Sequence, residues 1–186
     1  MKTNSRGVRH SVIHSLRDCL SNLGNTLTSL VIHLDYAFVT DEGLSYLAKG
    51  VRTLKKLRVL DLLFDYPLSI SDEGIKIFAD SISEIRLLEK VCLGFPVHSV
   101  LEGQSNMTNE SCRYIANQLK NFTYLRYLSL DFTNNIEMTF DGVYFLLDAI
   151  WRLEGIEILN INLDQTQTIV NEQEYDYVNS LPTKMP

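Results

Sequence analysis

Residues 27–64 read LTSLVIHLDYAFVTDEGLSYLAKGVRTLKKLRVLDLLF, and the second leucine-rich stretch restates the first one period later. The anchors Leu27, Leu30, Ile32 and Leu34 return as Leu57, Leu60, Leu62 and Phe64. The last three of each set alternate with other residues, the period of a strand that buries one face. Between the two sets stand Leu44, Leu47, Val51 and Leu54, spaced to line one side of a helix.

The pattern continues to the right. Strand anchors recur as Leu88/Val91/Leu93/Phe95, Leu125/Leu128/Leu130/Phe132 and Ile156/Leu159/Ile161/Leu163. Helical anchors recur as Ile75/Phe78/Ile82/Ile85, Cys112/Ile115/Leu119/Phe122 and Val143/Leu146/Ile150/Leu153. Thr40, Ser71, Thr108, Thr139 and Asn171 each stand four residues before a first helical anchor and are fitted to accept a bond from a free N–H of the first turn. Acidic residues follow, as in Asp41-Glu42 and Asp72-Glu73, which suits the positive end of the helix dipole. From first helical anchor to next strand anchor the step is 13 residues every time. From strand to helix it runs 17, 18, 24, 18 and 19, so the length variation lies in one loop. The long third loop, between Pro96 and Asn106, carries Val97, Val100 and Leu101 and reads as a rim contact for a partner.

The strand motif and the TDEGL and SDEGI helix openings resemble leucine-rich repeats, most of all the ribonuclease-inhibitor-like and cysteine-containing kinds. The resemblance covers residues 27–181. The period of 30–31 residues is slightly long for that family. Leu or Phe fills the eighth place, where the family puts Asn or Cys.

The expected fold is therefore α/β: a curved right-handed solenoid, parallel strands on the concave face and helices on the convex one. One domain is expected, with a polar tail over 1–10, an N-terminal helix over 11–26 and five repeats over 27–181. In the opening helix Ile13, Leu16, Leu20 and Leu23 reproduce the helical anchors without a strand before them. That leaves the Leu27–Leu34 strand as an edge and predicts end-to-end contact through it. Tyr175 and Val178 begin another helix pattern, which Pro182 stops.

Composition narrows the function. The chain has 186 residues, 45% hydrophobic and 22% charged, with a net charge of −6. That profile suits a packed globular protein and argues against a nucleic-acid surface, which needs a cationic stripe. No apolar run is long enough for a membrane span, so no membrane association is expected. Cys19, Cys92 and Cys112 show no paired spacing, and a reduced cytoplasmic setting is expected. The N-x-S/T triplets at Asn106, Asn109 and Asn121 read as coincidence.

The concave face is the candidate site. Its positions include His33, Asp35, Asp61, Leu63, Asp65, Cys92, Tyr127, Asp131, Asn162 and Asp164. Five aspartates against one lysine and one histidine predict a basic protein partner. Asp35, Asp65 and Asp164 have a second reading as chain-turning residues at strand ends, while Asp61 and Asp131 sit mid-strand in this alignment. An open sheet offers no water-excluding pocket, and no nucleophile–base pair accompanies the aspartates, so no catalysis and no cofactor are expected. The four histidines lack ligand spacing, and no metal is expected. The expected role is a non-catalytic protein-binding or scaffold module. A structural subunit of a large assembly is the alternative, with a small-GTPase regulator or ubiquitin-ligase adaptor below it.

Overall fold

In the computed structural model, residues 5–24, 26–34, 39–65, 70–97 and 106–163 are described, with side chains from residue 12 onward. Helices and strands alternate: α1 (Ser5–Asn22), β1 (Ser29–Leu34), α2 (Asp41–Val51), β2 (Val59–Phe64) and α3 (Asp72–Ile82). Then follow β3 (Lys90–Gly94), α4 (Asn109–Leu119), β4 (Tyr127–Asp131), α5 (Phe140–Trp151) and β5 (Ile158–Asn162). The strands form one parallel sheet in chain order, and the helices contact one another in the same order. All four strand pairs align anchor with anchor, as in Leu60 beside Val91 and Val91 beside Leu128. The final helix pattern at 171–181 lies outside the described residues.

Alternation along each strand sends every second side chain into one core shared with the helices. Phe64, Phe95 and Phe132, the eighth-place residues, form a buried column with ring centroids 5.3 and 6.1 Å apart. Burial weakens toward the first strand: Leu30 is buried, but Ile32 and Leu34 are only partly covered. An edge strand has a neighbour on one side only.

Two expectations about α1 change. It begins at Ser5, inside the stretch read as a polar tail. Leu23 lies just beyond the helix end and is exposed, so among the described anchors Ile13, Leu16 and Leu20 supply the apolar contact of α1 with the stack, beside the His14–Tyr46 ring contact. Cys112 is fully buried beside Met138, a small core residue as its anchor position implied.

The helix starts carry more than dipole chemistry. Thr40, Ser71 and Thr108 cap their own helices, accepting from the N–H of Gly43, Glu73 and Glu110. The residue after each cap then reaches forward and holds the cap of the next repeat. Asp41 accepts from the Ser71 N–H (2.7 Å) and hydroxyl (2.6 Å). Asp72 accepts from the N–H and hydroxyl of Thr108, each at 2.8 Å, and from the N–H and hydroxyl of Ser111. Asn109 accepts from the Thr139 N–H and donates its amide to the Thr139 hydroxyl. Thr139 therefore makes no side-chain bond to its own helix, contrary to its reading as a cap; its hydroxyl serves the inter-repeat clamp instead.

The clamp explains the glycine at the third position of α3 and of α5. A Cβ on Gly74 would lie 2.1 Å from Oδ1 of Asp41, and one on Gly142 would lie 2.5 Å from Oδ1 of Asn109. Glycine to alanine inside a helix ordinarily gains about 0.8–1.0 kcal/mol. Gly74→Ala is expected to reverse that sign and destabilise by roughly 1–3 kcal/mol, because it evicts the carboxylate that satisfies two half-buried donors of Ser71. In an Asp41→Ala background the same change should become neutral or stabilising. Denaturant unfolding of the four-member mutant cycle measures this, and additive effects would disprove the clamp.

The first turn of each strand adds a second ladder. Arg58 pairs with Glu89 and Arg126 with Glu157, at the residue after each first anchor. These exposed pairs contribute little to stability, about 0–1 kcal/mol each.

Candidate functional site

The strand faces opposite the helices build a grid of three rows and five columns. The first row is Ser29, Val59, Lys90, Tyr127 and Ile158; the second is Val31, Asp61, Cys92, Ser129 and Asn160. The third is His33, Leu63, Gly94, Asp131 and Asn162. The outer columns are the more exposed and the middle three mostly half-covered by their own neighbours. His33, Asp61, Leu63, Cys92, Tyr127, Asp131 and Asn162 thus share one face as their alternation required. Asp65 is at a bend just past β2, while Asp35 and Asp164 lie outside the described residues.

Local chemistry ties several of these groups together. His33 Nε2 is 3.4 Å from Asp61 Oδ1 on the adjoining strand. The Lys90 ammonium lies 4.7 Å from the centre of the Tyr127 ring, an attraction between a cation and the ring face. The Tyr127 hydroxyl accepts from the Asn160 amide at 3.0 Å. Leu63 lies across Gly94, where a Cβ would come within 2.5 Å of its Cδ1.

Asp131 differs from its mid-strand reading. It is the last residue of β4, and its Oδ1 accepts from both the N–H and the hydroxyl of Thr133. It therefore does the chain-turning work expected of Asp35, Asp65 and Asp164. The turn continues with Asn134 in the left-handed region at φ 61° and with Asn135 fully buried. Asn135 donates to the carbonyls of Phe95 and Phe132, so an asparagine does close this turn, three residues past the eighth place.

On the described grid only Asp61 and Asp131 are carboxylates, against Lys90 and His33, and each is engaged by a neighbour. Asp35 and Asp164, which also carried the expectation of a basic partner, lie outside this count. At Cys92, burial first, then the Asp61 carboxylate, push the thiol up to about 11, with Lys90 opposing, which disfavours the thiolate. The third loop is also corrected in part. Val97 is buried, its N–H donating to Thr133 O and its carbonyl accepting from Asn134, so it packs inward instead of meeting a partner. Val100 and Leu101 lie outside the described residues.

Trp151, whose place just after the Ile150 anchor reads as an outward position on α5, is 67% exposed. Tyr144 and Phe145, which the sequence reading did not single out, are 54% and 41% exposed.

Leiomodin-1 actin-binding site 2 (ABS2) is a solved structure similar to this chain, with a TM-score of 0.61 over 90% of this chain and 85% of that one. The fold is a leucine-rich-repeat-like solenoid. Sequence identity is 11%, so the likeness concerns architecture. No protein-family model matches the chain, and no curated protein does. No helix among the described residues is long and apolar enough to cross a membrane.

Proposed function

We propose that this chain is a non-catalytic module that binds a protein partner through the grid face of its sheet. The observation that carries the reading is the continuous row-and-column surface itself, with all strands parallel and in register. Five strands spaced about 4.8 Å apart give a face roughly 20 Å wide, comparable with one side of a standard interface of about 800 Å². Its chemistry is mixed. Val31 and Ile158 offer apolar contact at the two outer strands, and Asn160 and Asn162 offer amides. A partner presenting apolar side chains flanked by backbone or amide groups matches that pattern. The resemblance favours a repeat of the ribonuclease-inhibitor-like or cysteine-containing kind, and three free thiols suit a reducing, cytoplasmic setting.

The test uses substitutions that leave local bonds intact. Asp131 is unsuitable, because its loss would release the Thr133 turn. Val31→Asp combined with Ile158→Asp should lower affinity for a captured partner by about 30-fold or more, the effect of losing a hot spot. Both sites are exposed, so stability should shift by only about 0.5 kcal/mol. Crosslinks should map to the grid. The similar leiomodin-1 structure is that of an actin-binding site, which makes purified actin one defined partner to assay. Undiminished binding by the double variant, with crosslinks confined to the helices, would refute the reading.

A further inference from the structure

The described stack opens on half a repeat. α1 carries helical anchors, yet among the described residues no strand runs ahead of it, and β1 is an outer strand of the sheet. Four apolar residues register the lack of a neighbour on that side. Leu16, Leu27, Ile32 and Leu34 are only partly covered, whereas their counterparts one repeat later, Leu47, Leu57, Leu62 and Phe64, are at most 1% exposed. The four come from helix, turn and strand, so the shortfall is one row of side chains beside β1 and not a defect at a single residue.

The backbone of β1 is in the same condition. The Thr28 carbonyl accepts from the N–H groups of Arg58 and Val59, which fixes its direction toward β2. Backbone groups alternate along a strand, so Leu30 and Ile32 also bond toward β2. The N–H and C=O of Ser29, Val31 and His33 then point away from the sheet, and all three residues are exposed. The usual protections of an edge are missing. β1 pairs with β2 over six residues without a bulge and carries no proline, no lysine and no inward-pointing charge.

We propose that β1 is a docking edge for an extended segment of a partner protein, which adds a further strand parallel to the others. The outward N–H and C=O groups select a strand backbone as the occupant. The half-covered anchors select its sequence: apolar residues at alternate positions, one beside each of Leu30, Ile32 and Leu34. Parallel direction follows from α1, which stands where the crossover from such a strand would place it. In a parallel pair the residue opposite Val31 turns its own backbone groups away, so the apolar residues of the segment supply the bonds to β1. The contact uses backbone groups at the rim of the sheet, and it stands independently of binding through the grid side chains.

The probe is an end-blocked peptide of residues 125–132, LRYLSLDF, whose anchors repeat the spacing of Leu27, Leu30, Ile32 and Leu34. In the isotope-labelled full chain, the Val31 and His33 amides should exchange freely alone and slow by about tenfold or more in millimolar peptide. N-methylation of the peptide at Leu128 and Leu130 should abolish that protection, whereas N-methylation at Tyr127 and Ser129 should leave it. Val31→Pro removes an outward N–H without touching a bond to β2, so this variant should melt near the parent temperature and lose protection at His33. Val31→Thr keeps the N–H and should bind as the parent does. Val31 and His33 amides that exchange slowly in the free chain would overturn the proposal, the outcome expected if residues 1–4 or 35–38 pair with this edge. Absence of protection in millimolar peptide, or sensitivity to methylation at Tyr127 and Ser129 instead, would overturn it equally.

Discussion

Asp72→Ala is expected to remove roughly 4 kcal/mol of stability. The carboxylate accepts from two backbone N–H groups and two hydroxyls of the following repeat. Ser111 is fully buried, so water cannot replace the acceptor there. Each donor left buried without a partner costs about 1–3 kcal/mol, and the four are not independent. At about 2–4 °C per kcal/mol for a chain of this size, the melting temperature should fall by roughly 10 °C. Asp72→Asn should lose no more than about half as much. Oδ1 alone accepts from the Thr108 N–H and both Ser111 donors, and an amide in the place of Oδ2 can donate to the Thr108 hydroxyl as Asn109 does to Thr139. What is lost is the charge behind these bonds. Thermal unfolding followed by circular dichroism measures both. A loss under about 1 kcal/mol for the alanine variant would show that the clamp contributes nothing beyond ordinary surface bonding.

Phe95→Ala should cost about 3–5 kcal/mol and should also change the character of unfolding. Phe95 is fully buried and sits between Phe64 and Phe132 in the column of stacked rings. Its loss opens a hole in the middle repeat. In a stack where each unit touches only its neighbours, a weak central junction uncouples the two sides. Denaturant curves for the variant should therefore broaden, with an apparent m-value below that of the parent. Phe95→Leu is the control, because Leu34 and Leu163 already occupy this column at its ends. It should cost less than about 1.5 kcal/mol and preserve a single sharp transition. A single sharp transition for the alanine variant as well would mean that repeats two and four are coupled by something other than this column.

The repeat was legible because its signals are local and redundant. Thirteen-residue spacing fixed each helix relative to the strand after it, and alternation fixed which residues face the grid. Both are backbone periodicities that need no knowledge of neighbours. The clamp was less visible, although its letters are regular. Asp41, Asp72 and Asn109 precede their partners by 30–36 residues in sequence, and their meaning appears only when one repeat is laid against the next. The dipole reading was sound but incomplete. Asp131 was misjudged for a related reason: alternation places it on the face, yet Thr133 two residues on decides what its carboxylate does. Of the acidic character read from five aspartates, only Asp61 and Asp131 fall on the described grid, and each has a neighbour that a formal count ignores. Tyr144 and Phe145 escaped because helix anchors were compared column by column while the outward columns were not.

The clamp also bears on how such a chain can change its length over generations. Each link joins a residue just after one cap to the cap one period later, and the chemical roles are interchangeable: Asp41 or Asp72 could hold Ser71, Thr108 or Thr139. Excising one whole period leaves every remaining cap with a holder, whereas excising part of one strands a buried donor on each side of the cut. Duplication and deletion are thus steered toward whole units, and an ancestor with more or fewer copies would have folded with the same chemistry at every seam.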